Sequence, residues 1–262
     1  SIFRSHNFES SFFWESLNSK EKINPLNWLR AVAKYFGERN AIKYCDAVGT
    51  LPFEQIKKYR GWKQKNVNIL TLTFLPESLR PPRVNAGKPV LDLFYLGASY
   101  NVVFHLRGAE MLIEQIAPKV LSVAKDKFRF HICGSKLPER LISQCHNGII
   151  YEGYVDNLEN FLAEMDAGVF PVTTGKTMKG KVFESLARAF PIVMSKNCLG
   201  GYNLIDGKEV LLADSVEYFV QKIISLSDPS LRARLSNGAG ELGQREFSAE
   251  KIESVLKSMI YG

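Results

Sequence analysis

The fold is first predictable from residues 168–193, which read GVFPVTTGKTMKGKVFESLARAFPIV. The order is a short apolar strand, a polar loop that contains Gly175, a helix that opens near Lys181 and, after Pro191, a second strand. A strand that runs through such a loop into a helix is where α/β proteins hold phosphate, because the free N–H groups and the positive end of the helix dipole point at the ligand. The stretch therefore predicts an anion site in the loop.

The predicted helix carries one carboxylate, Glu184, which we expect in its first turn, and lysines crowd the loop before it. A carboxylate repels phosphate, so its expected partner is a hydroxyl pair such as that of a ribose. Phosphate on the loop and ribose on Glu184 together indicate a nucleotide. The alternative is a glutamate that only complements the helix dipole, beside lysines that are only solvated.

The size of the chain allows this interpretation without requiring it. With 262 residues, 45% of them hydrophobic, it can bury a substantial core in one large or two small domains. No apolar run approaches the roughly 18 residues of a membrane-spanning helix, and no signal peptide is visible. Because the chain starts with Ser1, inside an expected strand, we expect the natural protein to extend upstream.

The cysteines are scattered and show no paired metal-ligand spacing. They favour reduced thiols and a cytoplasmic protein over disulfides. The four positions are Cys45, Cys133, Cys145 and Cys198.

The net charge of +7 is concentrated in residues 1–80, which hold a surplus of six positive charges. Its densest part is a basic stripe with Tyr59 and Trp62 inside it, and the cations are Lys57, Lys58, Arg60, Lys63 and Lys65. Nucleic acid, an anionic membrane surface, an anionic acceptor or plain solvation each fit such a stripe. Because no nucleic-acid-binding motif accompanies it, we do not expect nucleic acid as a partner.

The chain divides into residues 1–80, a linker at 81–89 and residues 90–262. Closely spaced prolines and a glycine, among them Pro81, Pro82 and Pro89, mark the linker because they continue neither helix nor sheet. Beyond it strands and helices alternate, which predicts a parallel sheet covered on both faces, with ligands at the carboxyl ends of the strands. The predicted strands are 90–96, 128–133, 149–152, 168–172, 192–195 and 209–212; the predicted helices are 103–121, 138–144, 157–165, 181–190, 216–226, 229–245 and 249–259.

Several motifs in this region resemble one family. They are FYLG at 94–97, FHICG at 130–134, YEGYV at 151–155 and KGKVFESLA at 179–187, the last followed by FPIV at 190–193. Together they resemble the C-terminal, nucleotide-sugar-binding half of a GT-B glycosyltransferase of family 4, the glycosyltransferase group 1 type. The resemblance implies an α/β fold of GT-B type: a Rossmann-like parallel-sheet C-terminal domain with part of a second Rossmann-like N-terminal domain.

The resemblance extends upstream. Arg4-Ser5-His6-Asn7 is similar to a strand-end histidine motif in the N-terminal, acceptor-side domain of the family, and implies that His6 lines the cleft as a catalytic residue. The family has several more strands before this histidine, so about a third of an intact enzyme is expected to lie upstream. The resemblance also suggests that the final helix packs back on the N-terminal domain. The other histidines, His105, His131 and His146, are interpreted as structural.

The resemblance also implies which residues bind the donor. Glu184 corresponds to the glutamate that binds the ribose hydroxyls, and Lys179 and Lys181 to lysines beside the diphosphate. The remaining implied donor-binding residues are Thr174, Gly175 and Thr177 facing the sugar and phosphates, Gly153, Tyr154 and Val155 holding the base, and Gly97, Ala98 and Ser99 over the diphosphate.

Two departures from the family pattern stand out. Lys176 replaces a first glutamate, and Ala98 and Phe104 replace an arginine and a lysine, for which Arg107 is a nearby substitute. The implied reaction is metal-independent, retaining transfer from a UDP- or GDP-sugar to a glycan, lipid or other acceptor, with no cofactor. An anionic membrane surface is a further partner that this interpretation allows. The alternatives are a non-catalytic nucleotide-sugar-binding module or scaffold, favoured by the lost glutamate, and an epimerase on the same fold.

Overall fold

The computed structural model describes residues 1–5, 8–51, 53–62, 64–83, 87–172 and 179–261. Within these residues the chain forms two parallel sheets, one before and one after the predicted linker. The first sheet has three strands in chain order, which are β1 (Ile2–Ser5), β2 (Ala47–Thr50) and β3 (Val67–Ile69). Because all three are parallel, their carboxyl ends lie at one edge.

Helices connect and cover the strands of this first sheet. They are α1 (Glu9–Ser16), α2 (Ser19–Ile23), α3 (Pro25–Tyr44), α4 (Phe53–Gly61) and α5 (Leu75–Ser78). Asn18 starts α2 with a capping box and Asn24 caps α3, whose first residue is a proline, so the sequence fixes both helix starts locally.

Both aromatic residues of the basic stripe pack into the hydrophobic cluster of the first sheet. Tyr59 is fully buried, and its hydroxyl donates to Glu38 Oε1 at 3.0 Å and shares a hydrogen bond with Ser5 Oγ at 2.6 Å. Trp62 is half-buried, with its ring 5.4 Å from that of Phe8. Tyr59 therefore has no free face on which a nucleic-acid base could stack.

The second sheet has six parallel strands in the order β6-β5-β4-β7-β8-β9. They are β4 (Leu91–Ser99), β5 (Phe128–Ser135), β6 (Ile149–Gly153), β7 (Ala167–Phe170), β8 (Ile192–Met194) and β9 (Leu211–Leu212). This is the doubly wound order, in which the chain first builds outward on one side of β4 and then on the other. The sheet therefore has its topological switch point between β4 and β7.

Helices cover both faces of this sheet. They are α6 (Val103–Met111), α7 (Ala117–Ala124), α8 (Glu139–Ile142), α9 (Leu158–Ala163), α10 (Gly180–Ala187), α11 (Val216–Ser225) and α12 (Pro229–Phe247), and the chain continues into α13 (Ala249–Tyr261). Burial on both faces explains the nearly continuous apolar run of β4, in which Phe94 packs edge-on against Phe170 and Phe190.

The helix predicted over 103–121 is interrupted. A π-helical turn, Leu112–Ile116, separates α6 from α7, and the N–H of Ala117 bonds back to the carbonyl of Leu112. Pro118 follows directly and has no N–H to donate, so the wider turn accommodates the proline without breaking the helix.

The last helix crosses back to the first sheet. Along α13, Met259 is buried and its carbonyl accepts a hydrogen bond from Asn66 Nδ2 at 3.3 Å, while the Ser258 hydroxyl donates to Asn68 Oδ1 at 3.5 Å. This contact fixes the two sheets relative to one another. Among the described residues no helix is both long and apolar enough to cross a bilayer.

Hydrogen bonds tie together the loops that follow β4 and β5. The hydroxyl of Tyr100 donates to the carbonyl of Cys133 at 2.8 Å, and its backbone N–H donates to the carbonyl of Ser135 at 3.0 Å. Gly134 lies between them with φ +140°, and a Cβ added there would lie 1.7 Å from the carbonyl oxygen of Gly97. The strand ends can approach this closely only because Gly134 has no side chain.

We expect Gly134→Ala to lower the free energy of unfolding by about 2–4 kcal/mol, because backbone would have to move in a conformation that alanine disfavours. Gly37→Ala is the matched control, since a Cβ at Gly37 in α3 meets nothing within 4 Å. It should raise the free energy of unfolding by about 0.5–1 kcal/mol. Urea unfolding measures both, and a Gly134→Ala protein as stable as the wild type would contradict the close approach.

Candidate functional site

A cleft of about 390 Å³ lies between the two sheets, at the switch point of the second one. The first sheet contributes apolar side chains from the segments that follow its strands and from α1; they are Phe12, Leu51, Leu72 and Phe74. The second sheet contributes the ends of β4 and β7 and the starts of α6 and α10; the residues are Tyr95, Leu96, Phe104, His105, Phe170, Val172, Lys179, Gly180, Lys181, Val182 and Glu184. Three of the residues predicted to bind the donor, Lys179, Lys181 and Glu184, therefore line one cleft.

Lys179 brings a buried positive charge to this cleft. It directly precedes α10, is only 8% exposed, and its ammonium lies 4.2 Å from the centroid of the Phe104 ring. No side chain among the described residues caps the N-terminus of α10, so the positive dipole end of the helix adds to this charge. The cleft is thus prepared for an anion at its α10 end.

Glu184 lies in the second turn of α10, which corrects the prediction of a first-turn position. The helix begins at Gly180, one residue before the expected start, so Glu184 is its fifth residue. At about 1.5 Å rise per residue, its Cα lies roughly 7 Å along the helix axis from that of Lys179. The carboxylate is thus separated from the positive end of the helix dipole. The alternative in which Glu184 only complements that dipole therefore loses its support.

Two cations hold the Glu184 carboxylate. Lys181 Nζ lies 2.9 Å from its Oε2, and Arg188 Nη1 donates to its Oε1 at 3.0 Å. Arg188 is itself buried and also bonds Glu159 Oε1 at 2.6 Å. A carboxylate has about four lone-pair positions, so two oxygens that each accept from one of these cations can still accept hydrogen bonds from a ligand. These two contacts fix the orientation of the carboxylate.

His105, which the sequence suggested to be structural, lines the cleft beside Lys179. Its Nδ1 donates to the carbonyl of Ser99 at 3.2 Å, so in the neutral ring Nε2 carries the free lone pair. Burial lowers the pKa of His105, the positive charge of Lys179 lowers it further, and the Ser99 hydrogen bond partly opposes both. The ring is therefore neutral at pH 7 and can accept a hydrogen bond. In the sequence, the position of His105 in the first turn of the helix that follows β4 was the signal that it lies at the ligand-binding edge of the sheet.

We expect His105→Gln to make stability less dependent on pH. Because the folded-state pKa of His105 is lowered, the unfolded chain binds a proton below about pH 6.5 while the folded chain does not, so acid destabilises the wild type from there down to the lowered pKa. The urea midpoints of both proteins at pH 7.5 and 5.5 measure the difference. An equal acid shift in both proteins would show that His105 is not the group responsible.

Gly97, Ala98 and Ser99 form the last three residues of β4 and directly follow Leu96, which lines the cleft while they do not. A Cβ added at Gly97 would lie 2.7 Å from the ring of Tyr100, so glycine is needed for the ring to close over this loop. The carbonyl of Ser99 positions His105. These three residues therefore affect the cleft through Tyr100 and His105.

Gly153, Tyr154 and Val155 lie at the end of β6, two strands away from β4 in the sheet. None of them lines the cleft, and the side chain of Tyr154 is 72% exposed. Gly153 has φ +68°, which turns the chain sharply at the end of the strand. A role in holding a base stays a prediction for these residues.

The predicted site residues His6, Thr174, Gly175 and Thr177 lie outside the described residues, as does Lys176. The described neighbour of His6, Ser5, is buried in the hydrogen-bonded chain with Tyr59 and Glu38. These hydrogen bonds were not predictable, because the residues that form them are far apart in sequence.

Comparison with known families gives one clear result. The family model described as Glycosyl transferases group 1 matches residues 92–228, just over half of the chain. This span contains β4 to α11 and every described residue predicted to bind the donor. No curated protein sequence matches the chain.

Solved structures share the fold at low sequence identity. TarM of S. aureus is 16% identical with a TM-score of 0.68; the match covers 86% of this chain and 46% of TarM, so the chain spans about half of that protein. WaaG, a glycosyltransferase involved in lipopolysaccharide biosynthesis, is 12% identical with a TM-score of 0.71, covering 100% and 75%. Alr3699/HepE of Anabaena, solved with UDP and glucose, is 12% identical with a TM-score of 0.68, covering 100% and 71%. The predicted GT-B fold class is confirmed.

Proposed function

The chain belongs to the group 1 glycosyltransferases, and from this premise we propose that it binds a UDP- or GDP-linked sugar in the cleft and transfers that sugar to an acceptor hydroxyl. The observation that carries the proposal is the presence of a buried cation, Lys179, and an oriented carboxylate, Glu184, in one cleft at the switch point of the sheet. Lys179 can bind phosphate, and Glu184 can accept hydrogen bonds from hydroxyls.

The proposed donor lies along the start of α10. Its diphosphate contacts Lys179 and the N-terminus of the helix, and its ribose hydroxyls donate to the open lone pairs of Glu184. The separation of roughly 7 Å along α10 suits a ribose and the outer phosphate of one nucleoside diphosphate. Charge-assisted hydrogen bonds of this kind are stronger than neutral ones. His105 Nε2 accepts a hydrogen bond from a hydroxyl of the transferred sugar.

In the proposed reaction the bond between the anomeric carbon and the diphosphate oxygen breaks, and its electron pair leaves with the diphosphate. The acceptor oxygen bonds to the anomeric carbon, and its proton passes to an oxygen of the departing diphosphate. Lys179 and the dipole of α10 stabilise the charge that develops on the departing diphosphate. Retention of configuration, independence of metal, His6 as a catalytic residue, and a glycan or lipid-linked acceptor at a membrane surface remain proposals that the resemblance supports.

Isothermal titration calorimetry of the chain with UDP, GDP, ADP and CDP tests the donor class. We expect one of UDP and GDP to bind most tightly, with unchanged affinity in EDTA. Its sugar conjugates then serve as donors, and the anomeric configuration of the product is assigned by NMR. No binding of any nucleoside diphosphate would contradict the proposal.

The non-catalytic module is the second candidate, favoured by Lys176 in place of a first glutamate. It predicts that nucleotide sugars bind as tightly as the nucleotide does, but are neither hydrolysed nor transferred by protein that includes any upstream domain. Turnover by that protein would exclude it.

A further inference from the structure

Helix α3 has apolar side chains on two opposite faces. Its inner face contributes Ile42, which is fully buried, and Tyr35, whose ring meets that of Phe8 at a centroid distance of 6.2 Å. Its outer face is a stripe of residues three and four positions apart, namely Leu26, Leu29, Val32, Ala33 and Phe36. A helix with apolar residues on both sides needs a partner on each, and the protein itself supplies the inner one.

No element among the described residues covers the outer face of α3. Leu26 and Leu29 are 60% and 65% exposed, Phe36 is half exposed, and Ile23 at the end of α2 is 79% exposed beside them. Single exposed apolar residues need no explanation, but a contiguous stripe of this kind marks an interaction surface.

Basic residues flank the outer face. By helical spacing, Arg30 and Arg39 lie along opposite margins of the stripe, and Lys43, seven residues after Phe36, continues its line toward the end of α3; all three are exposed. Residues 20–44 contain six Lys or Arg and two carboxylates. Of the two carboxylates, Glu38 is buried on the inner face and Glu21 belongs to the capping box of α2, so basic residues remain in excess along α3.

We propose that the outer face of α3 docks on an anionic lipid bilayer, with its apolar side chains at the boundary between headgroups and acyl chains and its basic residues among the headgroups. An apolar stripe between cations is what such an interfacial helix requires, whereas nucleic acid would need cations without the apolar stripe. Trp28, more than half exposed at the start of the helix, suits the same boundary. The surface lies apart from the donor site, so its test reads lipid binding and not nucleotide binding or transfer.

The test is co-sedimentation of the full chain with phosphatidylcholine vesicles that contain about one third phosphatidylglycerol. The double variant Leu29→Ser, Phe36→Ser should weaken binding by about tenfold or more, because it removes two large apolar side chains from the membrane boundary. The double variant Arg39→Gln, Lys43→Gln should weaken binding to these vesicles by roughly fivefold per charge. Pure phosphatidylcholine vesicles, or about 0.5 M salt, should reduce binding of the wild type in the same way.

Val123→Ser, at an exposed apolar site on α7 of the other sheet, is the matched control and should bind vesicles like the wild type. Circular dichroism and urea unfolding check that each variant is folded, which the exposure of the changed residues predicts. Wild-type protein that does not sediment with anionic vesicles would overturn the proposal. So would concentration-dependent dimers in analytical ultracentrifugation that the Leu29→Ser, Phe36→Ser variant abolishes, since a second copy would then cover this face.

Discussion

Lys179→Met is expected to weaken binding of the preferred nucleoside diphosphate by roughly 10- to 150-fold, the loss that corresponds to about 1.5–3 kcal/mol for a hydrogen bond to a charged group. The effect should be large because Lys179 is buried and the nearby dipole of α10 points the same way. Methionine keeps much of the side-chain length against Phe104, so the packing loss is small. Calorimetric titration measures the change.

The matched control is Lys125→Met. Lys125 is exposed and precedes β5, so it lies near the amino ends of the strands, away from the cleft. Its replacement should leave nucleotide affinity unchanged. If Lys179→Met binds as tightly as the wild type, the diphosphate does not lie at the start of α10.

Glu184→Ala is expected to cost about 10- to 100-fold in nucleotide affinity, because both proposed ribose contacts are charge-assisted. It also removes one partner of the buried Arg188, but that guanidinium keeps its 2.6 Å contact with Glu159, so we expect the protein to stay folded with a lower unfolding temperature. Glu184→Gln retains one acceptor oxygen and should lose less affinity than Glu184→Ala. Titration of both variants, with thermal unfolding recorded alongside, measures these effects.

Glu253→Ala is the control for Glu184→Ala, since Glu253 also sits on a helix and pairs with a basic residue four positions later, Lys257, but in solvent. Because such a solvent-exposed ion pair contributes little, Glu253→Ala should unfold like the wild type and bind the nucleotide with wild-type affinity. A folded Glu184→Ala protein with wild-type affinity would mean that Glu184 serves only to hold Lys181 and Arg188.

The alternation of strands and helices after the linker was predictable because each signal is local. Apolar runs gave β4, β5 and β7, Pro229 gave the start of α12, and the parallel order then placed the ligand at the carboxyl ends of the strands. Helix α10 was expected to run to Phe190, but it ends at Ala187, and Ala189 takes φ +57° before Pro191. The residue types at positions 188 and 189 do not predict that turn.

The parts of the site that depend on distant pairs were not predictable. Arg188 contacts Glu159 across 29 residues of sequence, and this contact helps to orient Glu184. Lys179 meets Phe104 across an even longer separation, in the region where the family often has an arginine and a lysine. Lys179 therefore supplies, from a different element, a positive charge near Phe104, where the sequence departs from the family pattern. Only the tertiary structure reveals this contact.

The most direct measurement compares the preferred nucleoside diphosphate with its 2′,3′-dideoxy form on wild-type protein and on Glu184→Ala. If the carboxylate binds the ribose hydroxyls, the wild type prefers the ribose form by at least about tenfold and the variant binds both forms equally. If the wild type does not distinguish the two forms, or the variant distinguishes them as well as the wild type does, Glu184 does not contact the ribose and the proposed placement of the donor along α10 is wrong.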